Sequence, residues 1–201
     1  KFAGGVLVPF DRDLEKNVAV TESTMLDNPK YIFEAAFMTE LFPDLQLFAR
    51  CDIIEFLSET DIILYEVKSA STINSRHLND ILFQRFVLEA CGYNVIKTFI
   101  VSPNQEYVRE DHLNPDKFFK FVEQSNENYD SVEVLCIEYK KAASVMPKCI
   151  STGSKCHNPF SCPFADHCEE KCESLDSIEN LSRLSEKKRT QLNELGVTEI
   201  K

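Results

Sequence analysis

Apolar and polar positions along the chain fall into two periods. Tyr31 to Phe37 and Leu45 to Phe56 suit extended strands, and Pro43-Asp44 between them is a turn signal, so an antiparallel hairpin is expected. Asp61 to Lys68 reads as a third strand, buried at Ile62, Ile63 and Leu64 and ending in Glu66-Val67-Lys68. Between Asn74 and Cys91 the residues Leu78, Ile81, Leu82, Phe86 and Leu88 share roughly one helical face, and Gly92 is placed to end that helix. A fourth strand is expected over Val95 to Val101 and a second helix over Asn114 to Asn128, while Ser131 to Ile137 fits either a strand or a helix extension. Lys1 to Pro9 is apolar, and Asp11 to Asn28 is polar without a clear period, which reads as a turn and a short helix. The expected order is β-β-β-α-β-α, an α/β chain.

Composition changes near Pro147. Five cysteines and two histidines lie between Pro147 and Cys172, and Ser177 to Lys201 is a polar amphipathic tail that reads as two short helices broken near Ser185 and Gly196. Three segments follow: a core over 1–146, a cysteine-rich segment over 147–174 and a helical tail over 175–201. A length of 201 residues suits one core with an appendage, and 43% hydrophobic against 27% charged residues excludes a mainly disordered chain. The longest apolar runs are a few residues, as in Ile62-Ile63-Leu64-Tyr65, so no membrane-spanning helix is expected. The chain opens on Lys1 and shows no secretory leader, and it is read as a cytoplasmic fragment of a longer polypeptide. A net charge of −11 opposes a sequence-independent hold on nucleic acid through the overall field. Screening confines each charge to about 8–10 Å, which leaves room for an acidic enzyme with a local basic track, for which Arg50, Arg76 and Arg85 are the candidates.

Strand alternation gives the third strand its chemistry. Glu66 and Lys68, two apart, point to one face, and a hairpin neighbour can bring Asp52 beside them. Oxygens of Asp52 and Glu66 with the Val67 carbonyl suit a hard divalent cation, Mg²⁺ or Mn²⁺, and Lys68 can meet charge on a phosphate oxygen. An acid and a lysine two apart are more often a solvated surface pair. The apolar run before Glu66 favours the functional reading, because it places these charges at the end of a buried strand. Gln84, on the following helix, can hydrogen-bond a metal-bound water or a phosphate.

Asp52, Glu66-Val67-Lys68-Ser69 and Gln84 together resemble the motifs of the PD-(D/E)XK nuclease superfamily, in its RecB-like branch that includes the CRISPR adaptation nucleases. The resemblance covers roughly the first two-thirds of the chain. It implies a restriction-endonuclease-like mixed central sheet flanked by helices. It further implies Asp52 and Glu66 as metal ligands, Lys68 as the catalytic lysine and Gln84 as the helix glutamine. Leu88 stands where the family often has a tyrosine. Glu34 on a strand and Glu22 on a weak helix are poor substitutes for the family's upstream acid, and His77 shares roughly one helical face with Gln84.

Of eight cysteines, Cys51, Cys91 and Cys136 fall inside strand or helix patterns and read as small buried hydrophobes. Cys156, Cys162 and Cys168 form a Cys-x5-Cys-x5-Cys block with Pro159, Phe160, Pro163 and Phe164 at matching offsets, which suits metal binding better than disulfides. A four-ligand site draws its last member from Cys149 or Cys172, with His157 and His167 also open to zinc. RecB-like nucleases with an iron–sulfur staple take one cysteine from far upstream, so the resemblance implies a [4Fe–4S] cluster in the full-length protein whose fourth ligand precedes Lys1, with Zn²⁺ as the alternative. Lys187, Lys188 and Arg189 cluster at a possible helix start that resembles half of a helix–hairpin–helix, where backbone amides and cations can hold a DNA phosphate; a solvated charged face is the plainer reading. The chain is thus expected to be a metal-dependent DNA nuclease acting on single strands or duplex ends. The alternative is a non-catalytic nucleic-acid or protein-binding module with a nuclease-like fold.

Overall fold

Ile, Phe and Tyr dominate the extended runs, and such side chains pack well on a pleated surface. The computed structural model describes residues 1–43, 45–124, 130–144, 156, 160–172, 178, 181 and 184–199. In chain order the elements are β1 (Val6–Leu7), α1 (Leu14–Met25), β2 (Tyr31–Phe42), β3 (Leu45–Phe56), β4 (Asp61–Val67), α2 (Ser75–Ala90), β5 (Asn94–Pro103), α3 (Pro115–Phe118), β6 (Phe119–Gln124), α4 (Asp130–Ser144), α5 (Ala165–Cys172) and α6 (Glu186–Glu194). They divide into two units, Lys1–Lys140 and Lys141–Lys201.

In the first unit six strands form one mixed sheet in the order β1-β2-β3-β4-β5-β6. The α/β class is as expected. β2, β3 and β4 make an antiparallel meander; β1 joins β2 and β5 joins β4 in parallel, and β6 runs antiparallel to β5. A parallel pair needs a crossover, which α2 supplies between β4 and β5. One cluster of the core joins Ile32, Ile54 and Leu64 of the sheet to Ile81, Val87 and Leu88 of α2. A smaller one gathers Ile53, Tyr65 and Val101 with Phe33, Phe99 and Phe121, and Tyr65 stacks on Phe99 with centroids 5.2 Å apart.

Helix α2 is fixed at both ends. The Asn74 side chain accepts from the Arg76 and His77 amides, and the His77 ring accepts from the Asn74 amide, a reciprocal capping box. Gly92, at φ +93°, turns the chain out of the helix, where a side chain would be strained. Helix α1 buries polar residues instead of apolar ones. Asn17 binds the carbonyls of Asp11 and Asp13, and the Thr21 hydroxyl accepts from the Ala36 amide of β2 at 2.9 Å.

One expectation needs correction. The helix over Asn114 to Asn128 is only the single turn α3, after which Phe119–Gln124 is strand β6; residues 125–128 lie outside the described set. Pairing with the β5 edge, and packing of Phe121 beside Tyr65, outweigh helical propensity there. Ser131 to Ile137 resolves as helix, part of α4. Cys51 and Cys136 lie in the core and Cys91 packs against it; burial pushes the Cys51 thiol well up, and the Glu66 and Asp52 charges add to it.

In the second unit, α6 starts at Glu186, and Gly196 at φ +75° ends it, with the Val197 amide returning to the Leu192 carbonyl. Leu181 and Leu184, expected within the helical pattern of the tail, are not helical, and Ser185, the expected break, caps the start of α6. Among the described residues no helix is long and apolar enough to cross a membrane.

Candidate active site

The strand register sets three carboxylates in line. Phe33 pairs with Ile53 and Ala35 with Cys51, so Glu34 lies opposite Asp52; Ile53 pairs with Tyr65, so Asp52 in turn lies opposite Glu66. Both β2 and β3 lose their alternation here. Core-facing positions step from Ile32 to Ala35 and from Cys51 to Ile54, three residues instead of two. Asp52 lies close enough to Glu66 and to Glu34 to feel the charge of both. The break in β2 has a backbone cause: Glu34 sits at φ +58°, a left-handed conformation costly for a residue with a Cβ.

Glu66 is the centre of the site. It is buried, its Oε1 accepts from Lys68 Nζ at 2.6 Å and its Oε2 from Gln84 Nε2 at 2.7 Å. The Lys68 contact confirms that residues two apart on this strand share a face, and α2 brings Gln84 in from above the sheet. Lys68 Nζ also donates to Asp80 Oδ2 at 2.7 Å. Burial opposes the charge of Lys68, but the hydrogen bonds it donates to Asp80 and Glu66 outweigh it and hold its ammonium above the ordinary lysine range. Asp52 Oδ2 accepts from the Val67 amide at 2.6 Å. Its carboxyl is pushed up to about 6, first by burial and then by the Glu66 charge, with the Val67 amide and Lys68 opposing and Glu34 adding.

Asp52, Glu66, Val67, Lys68 and Gln84 are therefore brought together. Glu34 is the residue the sequence reading set aside. Its signal is positional, since the β2–β3 register places it across from Asp52. It does not lie free: Arg50 Nε donates to its Oε2 at 2.8 Å, and Arg50 also reaches the Val8 carbonyl and the Phe10 ring. Arg85 pairs with Glu89 at 2.9 Å, so of the three expected track arginines only Arg76 opens beside Lys68, in a cavity of about 520 Å³ shared with His77, Asn79 and Asp80. Leu88 is fully buried in the core.

Two carboxylates with a neighbouring carbonyl are a donor set that Mg²⁺ or Mn²⁺ accepts, the remaining positions going to water or substrate. The chemistry of the site fits such an ion. Gln84 Oε1 is buried with no protein partner, and exchanging the amide ends would set that oxygen against Glu66. Among the described residues no group of three or more His, Cys, Asp or Glu side chains is arranged to hold a metal ion. Any ion here would rest on the Asp52–Glu66 pair, and the described thiols do not make up the expected cluster site. In the second unit Cys156, Cys162 and Cys168 are free thiols of intermediate exposure, with the Cys162 amide on the Cys156 carbonyl at 2.6 Å. Cys172 closes α5, and Cys149 and His157 lie outside the described residues. Lys187 and Lys188 are exposed at the start of α6, and Arg189 donates to the Leu181 and Leu184 carbonyls at 3.3 Å each.

Fold and site define an α/β protein with a six-stranded mixed sheet and a buried carboxylate, ammonium and amide cluster at the carboxyl end of β4. No protein-family model matches the chain, and no curated protein matches it.

Proposed function

We propose that the chain is a metal-dependent nuclease with a restriction-endonuclease-like fold of the PD-(D/E)XK superfamily, hydrolysing DNA phosphodiester bonds on single strands or duplex ends. The observation that carries the reading is the convergence of Lys68, at the exit of β4, and Gln84, from α2, on the buried Glu66 carboxylate, with Asp52 of β3 bonded to the adjoining Val67 amide and close enough to feel the Glu66 charge. A solvated surface pair would not bury Glu66 or give both of its oxygens a donor.

Asp52, Glu66 and the Val67 carbonyl would hold Mg²⁺ or Mn²⁺, which when bound acidifies water and offsets phosphate charge. Lys68 stays an ammonium and faces the open cavity, where it meets the negative oxygens of a phosphodiester. Gln84 fixes the rotamer of Glu66 and offers its free carbonyl oxygen to a water proton. For the second unit, we propose a [4Fe–4S] cluster or Zn²⁺ on Cys156, Cys162 and Cys168 in the full-length protein, with no part in the chemistry; a brown colour with visible absorbance separates the two.

The test uses the full chain with Mn²⁺ and end-labelled single-stranded and blunt duplex DNA. Asp52→Ala, Glu66→Ala and Lys68→Ala should each remove cleavage while the circular dichroism spectrum stays unchanged. Cleavage that survives any of the three refutes the assignment. Calorimetry with Mn²⁺ gives a second reading, since uptake should vanish in Glu66→Ala.

A further inference from the structure

Lys68 is held by more than the strand it follows. Its ammonium has three N–H donors, and two of them are taken, by Glu66 Oε1 at 2.6 Å and Asp80 Oδ2 at 2.7 Å. The two acceptors stand on opposite sides of the chain's path. Glu66 rises from the sheet on β4, while Asp80 stands on the second turn of α2, one turn before Gln84. A lysine stem has four rotatable bonds and loses about 2 kcal/mol of rotamer freedom when fixed. With Glu66 as sole partner, the head group could turn about that one hydrogen bond and its remaining N–H groups would have no fixed direction. The second anchor draws it toward the cavity that Lys68, Arg76, His77, Asn79 and Asp80 line.

Asp80 itself is half exposed, whereas the Lys68 side chain is only 18% exposed. An exposed ion pair contributes little to stability, so this contact has small weight in folding and large weight in where one N–H points. We infer that Asp80 is a positioning residue for the proposed phosphodiester hydrolysis: together with Glu66 it fixes the Lys68 ammonium between two carboxylates and so directs its third N–H toward a substrate phosphate at the mouth of the cavity. This rests on the nuclease reading above. Asp80 is not one of the motif positions on which that reading was built.

The experiment pairs two readouts on the full chain. The first is amine labelling of Lys68 with an acylating reagent, quantified by mass spectrometry without metal or DNA; Asp80→Asn should raise its rate about three- to tenfold over wild type, and Asp80→Glu should bring it back. The second is Mn²⁺-dependent cleavage of a single-stranded oligonucleotide. Asp80→Asn should lower kcat about tenfold with KM within twofold, Asp80→Glu should recover at least half of kcat, and in a Lys68→Ala background Asp80→Asn should change nothing further. Unchanged labelling overturns the tether. Faster labelling with kcat within twofold of wild type overturns the positioning role and leaves the nuclease reading standing. If wild-type protein cleaves neither single-stranded nor duplex DNA with Mn²⁺ or Mg²⁺, the nuclease reading fails and the inference fails with it, even where the labelling shows Asp80 holding Lys68.

Discussion

Replacing Asp52 by asparagine should make the protein both more stable and inactive. Burial, followed by the Glu66 charge, raises the Asp52 carboxyl from 3.8 to about 6. The folded state thus holds this proton more tightly than the unfolded chain does. Stability from this group is full below about pH 4, declines as pH rises from about 4 to about 6, and stays low above that. The gap between 3.8 and about 6, at about 1.4 kcal/mol for each pH unit, sets a ceiling of about 3 kcal/mol. Solvent reaches part of the side chain, which reduces the expected gain to about 1–2 kcal/mol. Asparagine keeps the volume and an oxygen for the Val67 amide and carries no charge. In a chain of 201 residues the gain corresponds to a Tm higher by about 3–6 °C at pH 8 and close to nothing at pH 4. Thermal melts with chelator at pH 4, 6 and 8 read the difference. Added Mn²⁺ should then raise the wild-type Tm and leave the variant unmoved, since only a protein that binds the ion gains from it. A Tm difference independent of pH, or a variant less stable at pH 8, would refute the account of Asp52.

Other substitutions probe separate parts of the fold. Thr21→Val keeps the shape but strips the buried Ala36 amide of its acceptor, and urea unfolding should show a loss of about 1–3 kcal/mol. Tyr65→Phe removes the 2.7 Å donor to buried Glu55 and should cost about 1–3 kcal/mol in urea unfolding at pH 7. Glu34→Gly should be more stable than Glu34→Ala by about 1 kcal/mol, the reverse of an ordinary strand position, because both lose the Arg50 pair and only glycine is at ease at φ +58°. Equal stabilities of that pair in urea would mean that β2 has no left-handed residue there.

Much of the sheet could be read from apolar runs. Leu45–Phe56 matches its expected bounds, and β4, α2 and β5 fall within a residue or two of theirs, because each buries a face whose spacing is written in Ile, Leu and Phe. Helix α1 was weakly legible for a physical reason: its inner face is Asn17 and Thr21, which satisfy backbone groups of a turn and of β2. Strand β6 was misread because Phe118, Phe119, Phe121 and Val122 suit a helix face as well as a strand, and only the open edge of β5 decides between them. Asp52, Glu66, Lys68 and Gln84 could be grouped from the sequence because strand parity and one helix suffice to bring them together. Glu34 and Asp80 could not. The first depends on a left-handed residue that breaks parity in β2, and the second on how α2 docks over the end of β4.

The places where this fold departs from ordinary practice coincide. A glutamate takes a conformation that suits glycine, two neighbouring strands drop their alternation at the same rung, and an aspartate is buried beside two other acids. Each is costly alone, and the three fall together at the end of β4, where the proposed reaction would use them. The charges sharpen the point. Glu34, Asp52, Glu66 and Asp80 bring four formal negative charges, and the two cations bonded to them, Arg50 and Lys68, return two. The shortfall is two charges, which is the charge of one Mg²⁺ or Mn²⁺ ion. Partial burial, and after it the Glu66 charge, raises the proton affinity of Asp52, and there the cost is visible. The same imbalance that weakens the folded state alone is therefore what would draw a divalent ion to the end of β4.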